Sequence, residues 1–319
     1  MAHAIGIDLG GSSAKIALVA QSGAILAQDS VEMRPTPDAE TVLAPVAAVV
    51  ERIQRVAARH GYAIDALGCG ISGYLDHTRT RIAVNNTPAL NGFALASWLE
   101  TRFAVPVAVD NDACVAALAE TQLGGSTDKE RLLFVTVGSG IGVVLIVRGT
   151  VVRVMHGVTG DASHLIVNYG SVEQCPVGCH GCLETVASAR AIARAGGNAA
   201  REQTSAALAR IQEERGTVTS MDVAQAAAAG DTVAQEILTA AGRWLGVGLA
   251  SWASIYAPDH VLLGGGVAAA GDAWLDNARQ TMRGVGVPFL VDRLTMSRAT
   301  LGNRAGVIGA ALLALRHGG

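Results

Sequence analysis

IGIDLGGSSAKIALV, from Ile5 to Val19, is the stretch that decides the fold of this chain of 319 residues. Its pattern predicts an apolar strand, a glycine-rich bend and a second apolar strand that returns beside the first. Glycine lets the backbone adopt positive φ and approach a ligand closely, so such a bend directs several amide N–H groups at one phosphate. The residues predicted to do this are Gly10, Gly11, Ser12 and Ser13.

Two charged residues flank this bend. Asp8 stands near the end of the first strand, where a carboxylate is expected to hold a magnesium ion through water. Lys15 lies on the returning strand and is a candidate phosphate contact, although lysine also commonly covers strand ends with its alkyl stem.

The same pattern returns in the second half of the chain. RLLFVTVGSGIGVVLIVRGTVV, residues 131–152, again indicates strand, glycine bend and strand, and LLGGGV follows at residues 262–267. One such hairpin is typical of an ordinary tight turn, whereas three glycine motifs favour a duplicated architecture that grips a triphosphate. The candidate residues are Thr136, Gly138, Ser139 and Gly140 of the hairpin and Gly264, Gly265 and Gly266 of the later run.

Composition narrows the class of protein. Half of the residues are hydrophobic and the mean hydropathy is +0.36, so a sizeable core is expected. The net charge is −3 with no basic block, which argues against a nucleic-acid partner. The longest apolar stretch, residues 237–257, is interrupted by Arg243, so no membrane partner is expected. The start of the chain lacks a signal peptide, which favours a cytoplasmic location.

Several helices are predicted from capping and periodicity. A long one spans residues 38–60, with Asp38 as the candidate N-cap and Pro45 as a possible kink or later start. Others are expected over residues 184–195, 199–215, 220–229 and 231–257. The four tryptophans and Cys69 are expected to pack in the core rather than to bind a ligand.

The segment VDNDACVAALAE, residues 109–120, offers a candidate base. Asp112 falls where a predicted strand meets a helix N-terminus, which stabilises negative charge, and a general base must stay ionised near a hydroxyl proton. Asn111 beside it has an amide suited to a sugar hydroxyl. The alternative interpretation is a simple Asn-Asp helix cap.

The order of these motifs resembles that of the superfamily that joins sugar kinases, actin and the heat-shock chaperone ATPases. The run GVTGDASHLIVNYGSVEQCPVGCHGCLETVASA, residues 157–189, is similar to the signature of the ROK family (repressors, open reading frames, kinases). ISGYLD, residues 71–76, also resembles a ROK loop, and the likeness covers nearly the whole chain. The residues that match the signature in register are Gly160, His164, Cys175, Gly178, Gly181, Cys182 and Glu184.

This resemblance implies an α/β fold of two actin-like (ribonuclease H-like) domains with a ligand cleft between them. The expected domains are residues 1–112 with 302–319, and residues 113–301, which carry a zinc-binding loop. It implies ATP, Mg²⁺ and structural Zn²⁺ as cofactors, a small-molecule sugar as partner, and a homodimer.

The resemblance also assigns residues. Asp112 would be the catalytic base for transfer of the ATP γ-phosphoryl group to a sugar hydroxyl, O6 of a hexose or N-acetylhexosamine. Alternatives are a sugar-sensing ROK regulator without a DNA-binding domain, a polyphosphate-dependent kinase, and an actin-like ATPase. A regulator needs a DNA-binding segment before the first motif, which begins within ten residues of Met1. The residues implied to bind sugar are Gly73, Asn91, Asn111, Asp112, Asp161, His164 and Glu184.

The chain departs from the ROK pattern at four places near this site. Asp161 replaces a glutamate and Ser163 a glycine, while Asp110 replaces a glutamate and Cys114 an asparagine. These changes bear on glucose specificity more than on kinase activity.

The family's structural zinc uses one histidine and three cysteines. His164, Cys175 and Cys182 match, but the central cysteine of the family falls at Val177. Cys179, two residues later, is the expected fourth ligand, with His180 as a less favoured substitute. The alternative is a set of reduced, buried cysteines without metal.

Overall fold

The computed structural model of this chain describes residues 2–34, 36–124, 129–153, 161–269 and 271–317. Residues 157–160, including Gly160, begin the signature run and lie outside these ranges. The chain divides into two compact units, one formed by Met1–Asp128, Gly149–Gly160 and Thr300–Gly319 and the other by Lys129–Arg148 and Asp161–Ala299. None of the helices in the described ranges combines the length and apolar character that a bilayer crossing requires.

The first unit contains a five-stranded sheet in the order β3-β2-β1-β4-β7. The first two strands form the predicted hairpin and pair antiparallel, while β4 and β7 add parallel strands on the other side of β1. The strands are β1 His3–Leu9, β2 Ser13–Ala20, β3 Ile25–Glu32, β4 Ala66–Ile71 and β7 Val107–Asn111, and a small ribbon consists of β5 Tyr74–Leu75 and β6 Ile82–Val84.

Four helices cover this sheet: α1 Ala39–Arg59, α2 Leu95–Phe103, α3 Asp112–Leu123 and α11 Ala305–His317. Asp38 caps α1 as predicted, because its carboxylate accepts from the amide of Thr41 at 2.8 Å. The helix therefore starts before Pro45, which lies inside it. The sequence predicts a domain boundary at residue 112, which would separate α3 from the first domain. In the structure α3 belongs to the first unit, where it packs with α11 in one apolar cluster.

Helix α11 lies directly on the sheet because two glycines leave room for its backbone. Gly6 of β1 is paired with Gly68 of β4. A Cβ at Gly6 would lie 1.9 Å from the carbonyl oxygen of Val307, and one at Gly68 would lie 1.8 Å from that of Ala310. Any larger residue at either position would push the helix off the sheet.

The second sheet has the order β10-β9-β8-β11-β12 and contains the other predicted hairpin, β8–β9. Strand β11 joins β8 and β12 in parallel. Its strands are β8 Arg131–Val137, β9 Ile141–Val147, β10 Thr150–Val151, β11 His260–Gly264 and β12 Thr295–Arg298.

The helices of the second unit are α4 Glu184–Ala187, α5 Ala189–Arg201, α6 Ala206–Arg215, α7 Ser220–Ala228, α8 Thr232–Tyr256, α9 Asp272–Val285 and α10 Pro288–Val291. The expectation of single helices over 184–195 and 199–215 is wrong. Ser188 and Ser205 each cap a new helix, accepting from the amides of Ala191 and Leu208, and Gln203 interrupts the second stretch at φ 57°. Trp252 and Trp274 are buried as predicted.

Candidate functional site

The first glycine bend connects β1 to β2 and exposes Gly11 and Ser12 at its tip. The amide of Gly10 donates to the carbonyl of Ser13 at 3.0 Å, and a Cβ at Gly11 would meet nothing within 4 Å. Ser12 fixes the bend from the other side, since its carbonyl accepts from the amide of Met33 at 2.9 Å. The bend is therefore a held but accessible loop, the form that an anion needs.

Asp8 lies beside this bend and pairs across the hairpin with Lys15. Its Oδ2 is 4.0 Å from Lys15 Nζ. Burial raises the pKa of Asp8, and the attraction of Lys15 opposes that rise. The carboxylate also faces the start of α11, because a Cβ at Gly306 would lie 2.6 Å from Asp8 Oδ2.

Asp112 is the first residue of α3, at the carboxyl end of β7. Asn111 caps the helix by accepting from the amide of Ala113 at 2.9 Å, and Asp112 Oδ1 accepts from the same amide at 2.8 Å. Burial, and then the negative charge of Asp8, raise the pKa of Asp112 to about 6, against the opposing bond from Ala113. The carboxylate is thus mostly ionised at neutral pH yet a stronger base than an ordinary aspartate.

The loops around Asn111 bring together the other predicted sugar residues of the first unit. Asn111 Nδ2 donates to the carbonyl of Gly73 at 3.1 Å. Gly73 has φ +100°, and a Cβ there would lie 2.3 Å from the carbonyl oxygen of Val84, so only glycine fits. Asn91 Oδ1 accepts from the amide of Asn85 at 2.7 Å, which leaves the Asn91 side-chain amide to donate elsewhere.

An ion cluster that the sequence did not predict lies next to Asn111. The Asp110 side chain is only 3% exposed and contacts the guanidinium groups of Arg79, at 3.3 Å, and Arg153. Burial opposes the charge of Arg153, but Asp110, and after it Cys114, outweigh that effect and raise the pKa of Arg153. Asp110 and Cys114, two of the residues that differ from the family pattern, therefore both interact with the guanidinium of Arg153. The sequence did not predict these partners, because a buried aspartate requires a nearby cation but does not identify the residue that provides it.

The second glycine bend carries Thr136, Gly138, Ser139 and Gly140 at the junction of β8 and β9. The amide of Gly138 donates to the carbonyl of Gly140 at 2.9 Å. The run Gly264–Gly266 meets the end of β8: Gly265 has φ +86°, and a Cβ there would lie 2.4 Å from the carbonyl oxygen of Val137. The second unit thus places two of the three predicted nucleotide motifs side by side.

The predicted metal ligands converge in the second unit. One ligand atom from each of His164, Cys175, Cys179 and Cys182 lies within 4.8 Å of the others. His164 Nδ1 is 3.5 Å from Cys175 Sγ and 3.3 Å from Cys179 Sγ. One imidazole and three thiols are the donor set of a closed structural zinc site. Val177, at the position of the family's central cysteine, is instead 46% exposed.

The surroundings of this donor set act differently on its cysteines. Burial opposes ionisation of Cys175, but its contact with the Cys179 thiol and with the backbone amides of residues 177–179 prevails and lowers the pKa of Cys175. Metals bind the thiolate form. Burial, together with the neighbouring sulfurs, raises the pKa of Cys179, because adjacent thiolates repel one another. Burial also raises the pKa of Cys182.

The second nitrogen of His164 is also engaged. His164 Nε2 lies 3.4 Å from Asp161 Oδ2, and Ser163 Oγ donates to the other oxygen of Asp161. A carboxylate on the far nitrogen of a metal-binding histidine fixes the ring orientation. Trp252 of α8 supports the turn, because its Nε1 donates to the carbonyl of Ala162 at 3.1 Å.

Glu184, the last predicted sugar residue, begins α4 two residues after Cys182. Its Oε2 accepts from the amide of Ile141 at 3.0 Å, and its Oε1 lies 3.8 Å from Arg190. The sequence did not predict the contact with Ile141, since residues 43 apart in the chain carry no local signal of their pairing.

Comparison with known proteins finds relatives along nearly the whole chain. A glucokinase of Halalkalibacterium halodurans is 30% identical over 97% of this chain and 94% of its own length. A ROK family glucokinase from Streptomyces griseus, solved in complex with glucose and AMPPNP, superposes with a TM-score of 0.86 and 29% identity, covering 98% of this chain and 99% of that one. A ROK family transcriptional regulator has a TM-score of 0.84 and 26% identity, covering 98% of this chain and 77% of that one.

These structures confirm the expected α/β fold of two actin-like domains. The family profile described as ROK family matches residues 4–317, almost the full length. The resemblance found in the motifs therefore extends to the whole fold, and this chain belongs to the ROK family.

Proposed function

We propose that this chain is an ATP-dependent sugar kinase that transfers the γ-phosphoryl group to O6 of a hexose or N-acetylhexosamine. The observation that carries the proposal is the carboxylate of Asp112, which stands at a helix start with its pKa raised to about 6. The relatives support the substrate class, because the similar S. griseus glucokinase was solved with glucose and an ATP analogue.

The chemistry follows from the role of Asp112. The acceptor hydroxyl gives its proton to Asp112 while its oxygen forms a bond to the γ-phosphorus, and the bond to the β–γ bridging oxygen breaks to release ADP. Phosphoryl transfer depends mainly on positioning and charge neutralisation. We assign the first and the second glycine bend to the phosphates, and Asp8 to Mg²⁺, which would neutralise the phosphate charge when bound.

The acceptor sugar would be bound by seven residues that the family resemblance identifies. Contacts link several of them: Asn111 donates a hydrogen bond to the carbonyl of Gly73, and Asp161 lies 3.4 Å from His164. The Asp161 carboxylate is shared with His164 and Ser163, so we propose that it orients His164 and accepts from a sugar hydroxyl with its remaining lone pairs. The proposed sugar residues are Gly73, Asn91, Asn111, Asp112, Asp161, His164 and Glu184.

We propose that His164, Cys175, Cys179 and Cys182 hold a structural Zn²⁺. Bound there, zinc would cross-link the loop that presents His164 and Glu184 and take no part in the chemistry, because all four positions are filled by protein. The homodimer expected from the resemblance stays a prediction, which sedimentation analysis would test.

The proposal is tested across a panel of hexoses and hexosamines, by coupled ADP release with ATP as donor and by sugar-phosphate formation with polyphosphate as donor. A kinase releases ADP only with its sugar, whereas a sugar-sensing regulator binds sugar without turnover. Asp112→Asn should retain nucleotide binding and lose roughly 10²- to 10⁴-fold in kcat. Near-normal turnover by this variant would reject Asp112 as the base.

A further inference from the structure

The carboxylate of Glu184 holds the second glycine bend in place. Its side chain is 12% exposed, and its Oε2 accepts the amide hydrogen of Ile141, the first residue of β9. The fit is close: a Cβ at Gly140 would lie 2.5 Å from Oε2 and 3.1 Å from the carboxyl carbon. The glycine is thus needed here to admit the carboxylate, since its φ lies outside the left-handed region.

A second contact ties the same segment to the bend. The amide of Ala189, at the start of α5, donates to the carbonyl of Gly138 at 2.8 Å. Residues 184–189 therefore hold the bend on both sides of Ser139, through Gly138 and Ile141. This segment begins two residues after Cys182, so it leads from the cysteine cluster to the bend.

We propose that Glu184 is a positioning residue for nucleotide as well as a sugar ligand, and that it couples the two bound substrates. This inference rests on the proposed kinase function. Oε2 fixes the bend that is assigned to phosphate, while Oε1, which lies 3.8 Å from Arg190, remains to accept from a sugar hydroxyl. Ordering of the carboxylate by either ligand then favours the other, and such coupling must be reciprocal.

Nucleotide affinity without sugar gives the direct test. Isothermal titration with Mg²⁺ and AMPPNP should show binding roughly tenfold weaker in Glu184→Ala, because one charge-assisted hydrogen bond is lost. Glu184→Gln keeps a carbonyl oxygen at the same reach and should recover most of the affinity. Glu173→Ala is the matched control: it removes a half-exposed carboxylate that pairs with Arg194 and should leave nucleotide affinity unchanged.

A double-mutant cycle makes the test specific. Gly140→Ala should weaken nucleotide binding in the parent protein, since its Cβ displaces Glu184, but should cost little in the Glu184→Ala background, where the clash is gone. Equal costs in both backgrounds would overturn the proposal. So would a sugar that tightens nucleotide binding equally in the parent protein and in Glu184→Ala.

Hydrogen–deuterium exchange supplies a measurement that needs no ligand. Peptides covering residues 136–142 should exchange faster in Glu184→Ala than in the parent protein, while those of β1 and β2 stay unchanged. Unaltered exchange in this bend would refute the positioning role. Failure of the parent protein to bind Mg·AMPPNP would instead overturn the kinase function, and this inference with it.

Discussion

The two glycine hairpins share a pattern but differ in where their acidic group comes from. In the first, Asp8 stands two residues before Gly10, on the strand that leads into the bend. In the second, the equivalent position is Thr136, two residues before Gly138. Its acid is Glu184, which reaches Ile141 from a helix 43 residues along the chain.

The support beneath the two hairpins also differs. Gly6 of the first lies two residues before Asp8 and admits the backbone of α11. The corresponding residue of the second is Phe134, buried at 2% exposure, whose ring fills the space beside Gly264. Two hairpins with one sequence pattern therefore differ in their charge: the first provides its own carboxylate, and the second receives one from a helix that follows the cysteine cluster.

The largest expected effect comes from substituting Asp8 of the first hairpin, compared with Thr136 at the equivalent position of the second. Asp8→Asn should lower kcat by roughly 10²-fold or more, because the proposed Mg²⁺ ligand is lost. Thr136→Val should cost no more than about tenfold, the range of one neutral hydrogen bond. Steady-state ADP release measures both, and equal losses would break the comparison.

The next effect concerns stability. Gly6→Ala places a Cβ 1.9 Å from a backbone oxygen and should lower the free energy of unfolding by on the order of 3 kcal/mol. Gly284→Ala is the control: it lies in α9 with nothing within 4 Å of its Cβ and should be neutral or slightly stabilising. Denaturant unfolding distinguishes the two; a tolerated Gly6→Ala would show that α11 does not lean on the first hairpin.

A smaller effect is expected at the cysteine cluster. Cys179→Ser should reduce bound zinc well below one equivalent and lower Tm by several degrees, because one of four ligands is lost. Adding Val177→Cys to this variant restores the family's ligand position and should recover metal content. Elemental analysis and thermal melting give the readouts, and full metal content in Cys179→Ser would exclude this cysteine as a ligand.

The smallest effect is a shift in pH dependence. Asp112 accepts a proton only when ionised, and its pKa is raised to about 6, so kcat/KM should fall as the pH drops through about 6. The charge of Asp8 contributes to that rise. Asp8→Asn should therefore move the acidic limb to lower pH, by an amount that a pH–rate profile resolves. A limb that stays in place would remove Asp8 from the neighbourhood of the base.

Features that depend on neighbouring residues could be predicted from the sequence, whereas contacts between residues distant in the chain could not. The hairpins, the Asp38 cap and the convergence of Cys179 with His164, Cys175 and Cys182 could be predicted because each depends on neighbouring residues or on a short motif. The predicted bounds of the helices in residues 184–215 were wrong, because Ser188 and Ser205 each begin a new helix within a stretch that apolar periodicity alone joins. The partners of Asp110 and Glu184 could not be predicted, since burial demands a counter-charge or donor without naming the residue that supplies it.

The position of α11 has a consequence for how the protein is made. This helix covers the sheet whose first strand begins at His3. The segment that leads into the helix is held by the fully buried Glu120, which accepts from the amides of Thr300 and Leu301. A ribosome synthesises that sheet before this helix, so the strands stay with their glycine face uncovered until residues 305–317 have been made. The described strands and helices of the second unit lie within residues 129–148 and 161–299, so none of them waits for a segment as late as α11.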